Sequence, residues 1–326
     1  MTSSIARGGP DVRALTVFER RAMGSPLRLI TVGLNRIEAA AAWRIVSEDV
    51  ERTEAALSRF RDSSGLTRLN RSGGDAWQTV DGRLYRMLAT SHRAQRLTGG
   101  RFDPRVLGCL EELGEHGADL SGIDLGRGPS STSGPWLDRI PRACRVRVRQ
   151  AVDSGGIGKG LGLRWALRAV TTAGIVPTGL LLDAGGDVAV QGQAADGAWR
   201  IGVDDPRGGT EPLAVIEPAD GAVATSSIAV RQWVATDGSI VHHLIDPATG
   251  QPGGGGLLAV TARAADPARA EVWSKALFLA GPGRIGPEAR GRGMAVWWVE
   301  ADGSLHMTPA ARQLTAWTRD EGNTSP

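Results

Sequence analysis

The sequence is short of several things, and each shortage closes off a class of function. There are two cysteines, Cys109 and Cys144, in 326 residues. They cannot form a disulfide framework and lack zinc-site spacing, so reduced, buried thiols are expected. Apolar runs such as Gly179–Leu182 and Leu277–Ala280 fall far below the length that crosses a bilayer. Met1–Pro10 is polar and rich in small residues, with no apolar stretch of signal-peptide length and no lipid-attachment cysteine. That predicts a cytoplasmic protein without membrane insertion. Charge of one sign is not in excess: 38 basic against 35 acidic residues leave a net +3, too little to argue for nucleic acid. The arginines of Arg139–Arg149 read as a solvated face or edge strand. A GxSxG elbow is missing, which weakens a serine hydrolase reading.

Apolar residues at 41% and charged residues at 22% are ordinary for a globular chain, and the length suffices for one large domain or two smaller ones. Glycine is the excess, at 45 residues, much of it in pairs beside acidic residues or lysine. Such pairs let backbone approach a ligand closely and aim N–H groups at anions, so a phosphate-bearing ligand is the first expectation.

Patterning predicts a flexible arm over 1–20, one domain over 21–315 with 112–140 as a loop or insertion, and a tail over 316–326. A β-type run spans Leu27–Leu34 after a turn at Met23-Gly24-Ser25. Asn35 caps a helix from Arg36 to about Phe60. Residues 61–80 are turn-rich. A second helix runs from about Gly82 to Leu97 and stops at Gly99-Gly100. A strand over Val146–Val152 feeds a glycine turn that opens a helix to about Thr172. Short strands follow at Leu180–Ala184, Val188–Gln191, Trp199–Val203, Leu213–Ile216, Ala222–Ala224 and Val241–Ile245. Leu257–Ala262 is a strand, Asp266-Pro267 starts a helix to about Ala280, and Met294–Val299 is a late strand. Strands and helices mix without strict alternation, which points to an α+β (mixed α/β) fold.

Five segments carry chemistry, and each has a plain alternative. Asp153–Gly160 resembles a phosphate loop but satisfies neither the Walker pattern nor GxGxxG; a positive helix end beside Lys159 suits an anion, and a tight turn with a solvated lysine is the alternative. Asp183–Asp187 flanks the pair Gly185-Gly186 with acid and suits close ligand approach, or is a β-bulge. His243–Gly250 gathers His243, Asp246 and Thr249, with His243 able to take a proton near neutral pH, or is a turn with incidental polar groups. Thr225 and Ser226 offer adjacent hydroxyls to a ligand or simply form a turn. Glu271 and Lys275 are four residues apart on a helix, the spacing of a surface salt bridge.

Taken together and in order, these segments resemble the FAD:protein FMN transferases, the ApbE family. Met23-Gly24-Ser25 resembles the family's Met-Gly-Thr, and Leu57–Phe60 with Ser64 and Leu69-Asn70 its Ser-Arg-aromatic segment. Thr98–Pro104 resembles Thr-Gly-Gly-x-Phe-Asp-Pro. Asp153–Gly160, Asp183–Asp187, Ala224–Ser226 and His243–Gly250 resemble the Lys-Gly loop and the Gly-Gly-Asp, Thr-Ser and HxIDPxTG motifs. Coverage runs from about Met23 to Gly281.

The resemblance implies a flavin nucleotide in a cleft between two subdomains. FAD is split with Mg²⁺, FMN is esterified to a Thr or Ser hydroxyl of an acceptor protein, and AMP leaves. It implies FAD contacts at Met23, Phe60, Arg101, Phe102, Asp103, Lys159, Gly185, Gly186, Asp187, Thr225, Ser226 and Asp246. His243 is the candidate base, with Asp246 beside it. Metal positions are Glu271 and Gly156.

Three departures stand out. Where the family's metal helix has Asp and then Thr four residues on, this chain has Glu271 and Lys275; an ammonium is no metal ligand, so Lys275 is expected to replace the metal. Arg164 stands where the family often has Asp, and Ser25 where it usually has Thr. Three functions follow as expectations: transfer of FMN to a partner protein, FAD binding without catalysis, or FAD pyrophosphatase activity releasing AMP and FMN to water.

Overall fold

The computed structural model describes residues 15–72, 74–126, 128, 135–235 and 237–319. Strands β1 (Leu15–Ala22) and β2 (Ser25–Val32) lead into the long helix α1 (Arg36–Leu57), then α2 (Gly65–Ser72), β3 (Gln78–Thr79) and α3 (Gly82–Leu97). After α4 (Leu107–Glu112) come β4 (Leu137–Ile140), β5 (Arg145–Val148) and α5 (Gly158–Thr172). The chain continues through β6 (Gly179–Ala184), β7 (Asp187–Gly192), β8 (Ile201–Val203), β9 (Ala214–Ile216), β10 (Gly221–Ser227), β11 (Gln232–Val234), β12 (Ile240–His242) and β13 (Leu257–Ala264). It closes with α6 (Pro267–Phe278), α7 (Pro282–Gly291), β14 (Val296–Glu300), β15 (Leu305–Met307), α8 (Pro309–Arg312) and β16 (Thr315–Thr318). The mixed α+β architecture matches the expectation.

An eight-stranded antiparallel sheet in the order β1-β2-β6-β7-β10-β13-β14-β15 forms the frame. Two of its hairpins end at the site. Ala22 pairs with Ser25 around Met23 (φ +51°) and Gly24 (φ +72°), and Ala184 pairs with Asp187 around Gly185 (φ +65°) and Gly186 (φ +90°). Positive φ at both central residues is what two-residue hairpins of right-handed twist require, and glycine meets it without strain. Because Leu27 lies opposite Ala184, the two tips adjoin. A Cβ on Gly185 would stand 2.5 Å from the Cβ of Ser25.

Helices α1, α5 and α6 pack in series on one face of the sheet. Asn35 and Glu38 form a reciprocal capping box that starts α1, and Asp266 caps α6 ahead of Pro267. The core under these helices joins Leu27, Leu29, Val46, Leu163, Leu182 and Ala224. A second core gathers α2, α3 and the β3-β5-β4 sheet around Leu84, Phe102 and Trp136. Alternate residues of α5 and α6 enter each core: Leu161 and Val272 the second, Leu163 and Ala270 the first. These two helices therefore hold the two halves in register, and their N-termini define the site.

Several expectations change. The arm over 1–20 is wrong for its last residues, since Leu15–Ala22 is a full edge strand paired along β2; residues 1–14 lie outside the described residues. The tail over 316–326 likewise begins as strand, because Thr315–Thr318 pairs with β9; residues 320–326 lie outside the described residues. Within 112–140 the loop ends at Leu137, where β4 pairs with β5. Helix α2 occupies part of the stretch over 61–80 that read as turn-rich, and α7 forms where no element was expected.

Candidate functional site

The loop Asp153–Gly160 turns the chain into α5. Asp153 is buried, and its carboxylate accepts the N–H of Gly155 at 2.9 Å. The hydroxyl of Ser154 donates to the carbonyl of Leu57 at 2.8 Å, while the N–H groups of Ile157 and Gly158 donate to the carbonyl of Ser154. The N–H of Gly160 donates to Glu271 at 2.7 Å. Gly160 is glycine because a Cβ would stand 2.6 Å from the backbone of Ala268, so α5 and α6 start in direct contact. The sequence suggested a cradle of bare N–H groups. Instead the N–H groups of Gly155, Ile157, Gly158 and Gly160 are satisfied within the protein, and the positive charge for an anion comes from side chains.

Two lysines supply it. Lys159 on the first turn of α5 places its ammonium 3.1 Å from Asp187, which is buried at the β6–β7 turn. The charge of Asp187, with that of Glu271, holds the Lys159 ammonium above its ordinary range. Lys275, one turn along α6 from Glu271, donates to the carbonyl of Gly155 at 3.2 Å. Its tip fills the space a Cβ on Gly156 (φ +91°) would take, with Cε and Nζ each 2.7 Å from that point. Burial lowers the Lys275 ammonium, against the opposing fields of Asp153 and Glu271. Burial, reinforced by Asp187, raises the carboxyl of Glu271 to about 8.

His243 follows β12 at the end of the β11–β12 ribbon, within the electrostatic reach of Lys275. Its Nδ1 lies 3.4 Å from the carbonyl of Arg231. Burial, then the charges of Lys275 and Arg231, lower its imidazole to about 3, so it is neutral at physiological pH and able to accept a proton. Arg231 pairs with Glu115, and Glu115 pairs with the buried Arg59 at 2.9 Å. Arg59 also reaches Asp153 at 3.5 Å. The exposed ring of Phe60 lies within cation–π reach of both guanidiniums, 4.4 Å from Arg59 and 5.5 Å from Arg231.

Lys159, Asp187, Glu271, Gly156, Lys275 and His243 thus form one charged constellation, with Phe60 at its margin. Met23 and Gly185 sit at the adjoining hairpin tips. The Met23 N–H donates to Glu54 at 3.0 Å, and its sulfur lies 3.1 Å from where Gly162 would carry a Cβ. Asp246 binds its own turn, accepting the N–H of Ala248 at 2.9 Å.

The remaining expected contacts are engaged within the protein, and of these Thr225 stays exposed. Phe102 is 1% exposed and lies in the second core, so its ring offers no surface to a ligand. Asp103 is occupied by Gln95 and twice by Arg105. Arg101 donates to both oxygens of Glu288 on α7 and to the carbonyl of Ala276 at 3.0 Å. Thr225 and Ser226 fall on opposite faces of β10, as adjacent strand residues must. Ser226 shares a hydrogen bond with Ser274 on α6, and Thr225 with Thr261 on β13, both at 2.9 Å.

The ApbE family profile matches residues 23–296, most of the chain. The chain belongs to the ApbE family. Among similar proteins, an FAD:protein FMN transferase of Salmonella typhimurium is 26% identical over 322 residues, covering 95% of this chain and 91% of the relative. The ApbE protein of Thermotoga maritima superposes with a TM-score of 0.80 at 26% identity, covering 92% of this chain and 99% of that one. The flavin transferase ApbE of Vibrio cholerae has the same fold, with a TM-score of 0.77 at 20% identity over 93% and 99% of the two chains.

A magnesium ion of the kind the ApbE resemblance implies does not fit the residues present. Glu271 already accepts a backbone N–H, and the ammonium of Lys275 stands on the loop carbonyl beside Gly156. An ammonium has three donors and no acceptor, so it repels a cation and ligates none. Among the described residues, no three His, Cys, Asp or Glu side chains converge as a metal-holding group. Nor is any helix among them long and apolar enough to cross a membrane.

Glu115 and Arg231 are the site residues that sequence reasoning missed. Arg59, Glu115 and Arg231 meet only in the fold, and no local spacing announces them. A groove of about 470 Å³ lined by Arg52, Arg83, Trp165 and Arg168 lies between α1, α3 and α5 and shares none of these ApbE-site residues.

Proposed function

We propose that the protein is an FAD:protein FMN transferase. The observation that carries this is the placement of a neutral, half-buried His243 within the field of the same lysine that braces the α5 loop. A phosphoryl-type transfer needs fixed positive charge for the pyrophosphate and a base for the acceptor hydroxyl, held close together. The hydroxyl oxygen of an acceptor Thr or Ser attacks the phosphorus of the FMN half of FAD. The bond from that phosphorus to the bridging oxygen breaks, AMP leaves with the oxygen, and the hydroxyl proton passes to His243. Lys159, braced by Asp187, neutralises pyrophosphate oxygens, and Phe60 offers an exposed ring for stacking at the margin. The Arg59–Glu115–Arg231 chain holds the carbonyl that orients His243.

FAD binding without transfer is the second reading, and the Glu271–Lys275 arrangement supports it. One experiment separates the readings. Purified protein is incubated with FAD and a Thr-containing acceptor, and AMP and covalent flavin fluorescence on the acceptor are measured. AMP with labelling supports transfer. AMP alone indicates a pyrophosphatase, and retained FAD with neither product indicates a carrier.

A further inference from the structure

We propose that Lys275 is a built-in cation for the pyrophosphate of the bound flavin nucleotide, so that ligand binding at this site requires no divalent metal. The inference rests on FAD as the ligand, the reading given above.

Composition gives the first support. Of 38 basic residues only two, Lys159 and Lys275, are lysines; the other 36 are arginines. A chain that uses arginine for every other cation has lysine at two places, and the fold brings both to one loop, Lys159 within it and Lys275 on its carbonyl. Surface salt bridging does not explain that choice, since arginine serves elsewhere at i,i+4 spacing, as in Arg44–Glu48 and Arg292–Glu288. An ammonium is a compact point charge with three rotatable donors, whereas a guanidinium is a broad fork. Only the compact group suits the space here.

Geometry gives the second. The end of Lys275 fills the volume left by the missing Cβ of Gly156, with Nζ and Cε 2.7 Å from that position. Its hydrogen bond to the carbonyl of Gly155 accounts for one of three donors. Asp153, Glu271 and Glu115 surround it with negative charge. A main-chain carbonyl among carboxylates is a hard-cation environment, and the cation found in it is covalently part of the protein. Lys159 flanks it, clamped by Asp187. Two fixed positive charges on one glycine turn match a pyrophosphate, which carries its negative charge on two neighbouring phosphorus atoms.

The test is FAD affinity, read by calorimetry on the intact protein with EDTA and with excess Mg²⁺, for the native sequence, Lys275→Thr and Lys275→Arg. The native protein is expected to bind FAD equally under both conditions, to within about twofold, and Lys275→Thr at least about tenfold more weakly in EDTA. Lys275→Arg retains the charge but not the compact shape, and is expected to fall between them. Magnesium-dependent binding by the native protein overturns the proposal, as does an unchanged dissociation constant in Lys275→Thr. The native comparison needs no variant and decides by itself if the variants fail to fold. AMP release and acceptor labelling are measured in parallel. Metal-independent FAD binding without either product upholds Lys275 and refutes transfer. Labelling with metal-dependent binding refutes Lys275 and leaves transfer standing.

Discussion

The ammonium of Lys159 stands 3.1 Å from the carboxylate of Asp187, and that contact locks the first turn of α5 to the β6–β7 hairpin. Two elements of separate origin in the chain are thereby fixed side by side. Glu271 and Lys275 complete the arrangement from α6, so these four charged groups are positioned by regular secondary structure. Sites built on helices and strands hold their geometry more tightly than sites on loops.

Replacing His243 with Ala should reduce acceptor labelling by about 10²–10⁴-fold, the range expected when a positioned base is lost. FAD affinity should stay within about threefold, because the role proposed for the imidazole is with the acceptor proton and not with the nucleotide. Unaltered labelling would remove His243 from the reaction.

The depressed imidazole also sets a pH dependence. With the folded value at about 3 against an ordinary 6.5, the unfolded chain binds more protons between those limits. Stability from this group is therefore complete above pH 6.5 and is lost as pH falls toward 3. Glu271, raised to about 8, acts in the opposite sense and loses its contribution as pH rises from 4.5 toward 8. Urea unfolding from pH 4 to pH 7 should show a shallower acid slope in His243→Gln than in the native protein. The acid limb of kcat/KM for FAD should lie well below 6.5; a limb at 6.5 would contradict a half-buried, neutral His243.

Gly156→Ala tests the fit between loop and lysine. The left-handed backbone alone should cost about 1–2 kcal/mol, read as a lower Tm. The new methyl would displace the end of Lys275, a flexible tip that can swing aside, so FAD affinity should fall together with stability. A stability loss with unchanged affinity would show that Lys275 need not occupy that space.

For Arg101→Ala the effects should separate differently. The side chain is committed to Glu288 and the carbonyl of Ala276, and its removal leaves the partly buried Glu288 carboxylate with the longer contact to Arg292 at 3.4 Å. A loss of about 1–3 kcal/mol is expected, with FAD affinity little changed. A large drop in affinity at constant Tm would return Arg101 to the ligand.

Elements with strong local signals were legible in the sequence. Helix α3 spans Gly82–Leu97 and stops before Gly99-Gly100, as expected, and the structure adds Asp81 as its N-cap. Strand β1 was not legible: it is an edge strand whose LTVFERRA sequence alternates only weakly, and pairing with β2 decides its state. Helix α7 carries Pro287 and three glycines, and it persists because Ile285 and Ala289 are buried against α6. At the site, Lys159, Asp187, Glu271, Lys275 and His243 come together as the motifs implied. Phe102 and Asp103 lie in the same kind of glycine-flanked motif yet serve packing, because a buried ring and a capped turn leave the same trace in sequence as a ligand contact.

The two-stranded ribbon of β11 and β12 has one further consequence. It pairs only Gln232–Val234 with Ile240–His242 and is separate from the main sheet, tethered by the Trp233 indole N–H to the carbonyl of Leu113. Isolated pairs of short strands are marginal in water. Arg231 and His243 lie together at one end of it, each one residue beyond the Gln232–His242 pair, and so travel as a unit: when the ribbon opens, the proton acceptor and its orienting carbonyl leave the lysines together. Amide exchange in 232–242 should therefore run faster than in α6, and an acceptor that seats the ribbon would assemble the proton-transfer half of the centre only upon its own arrival.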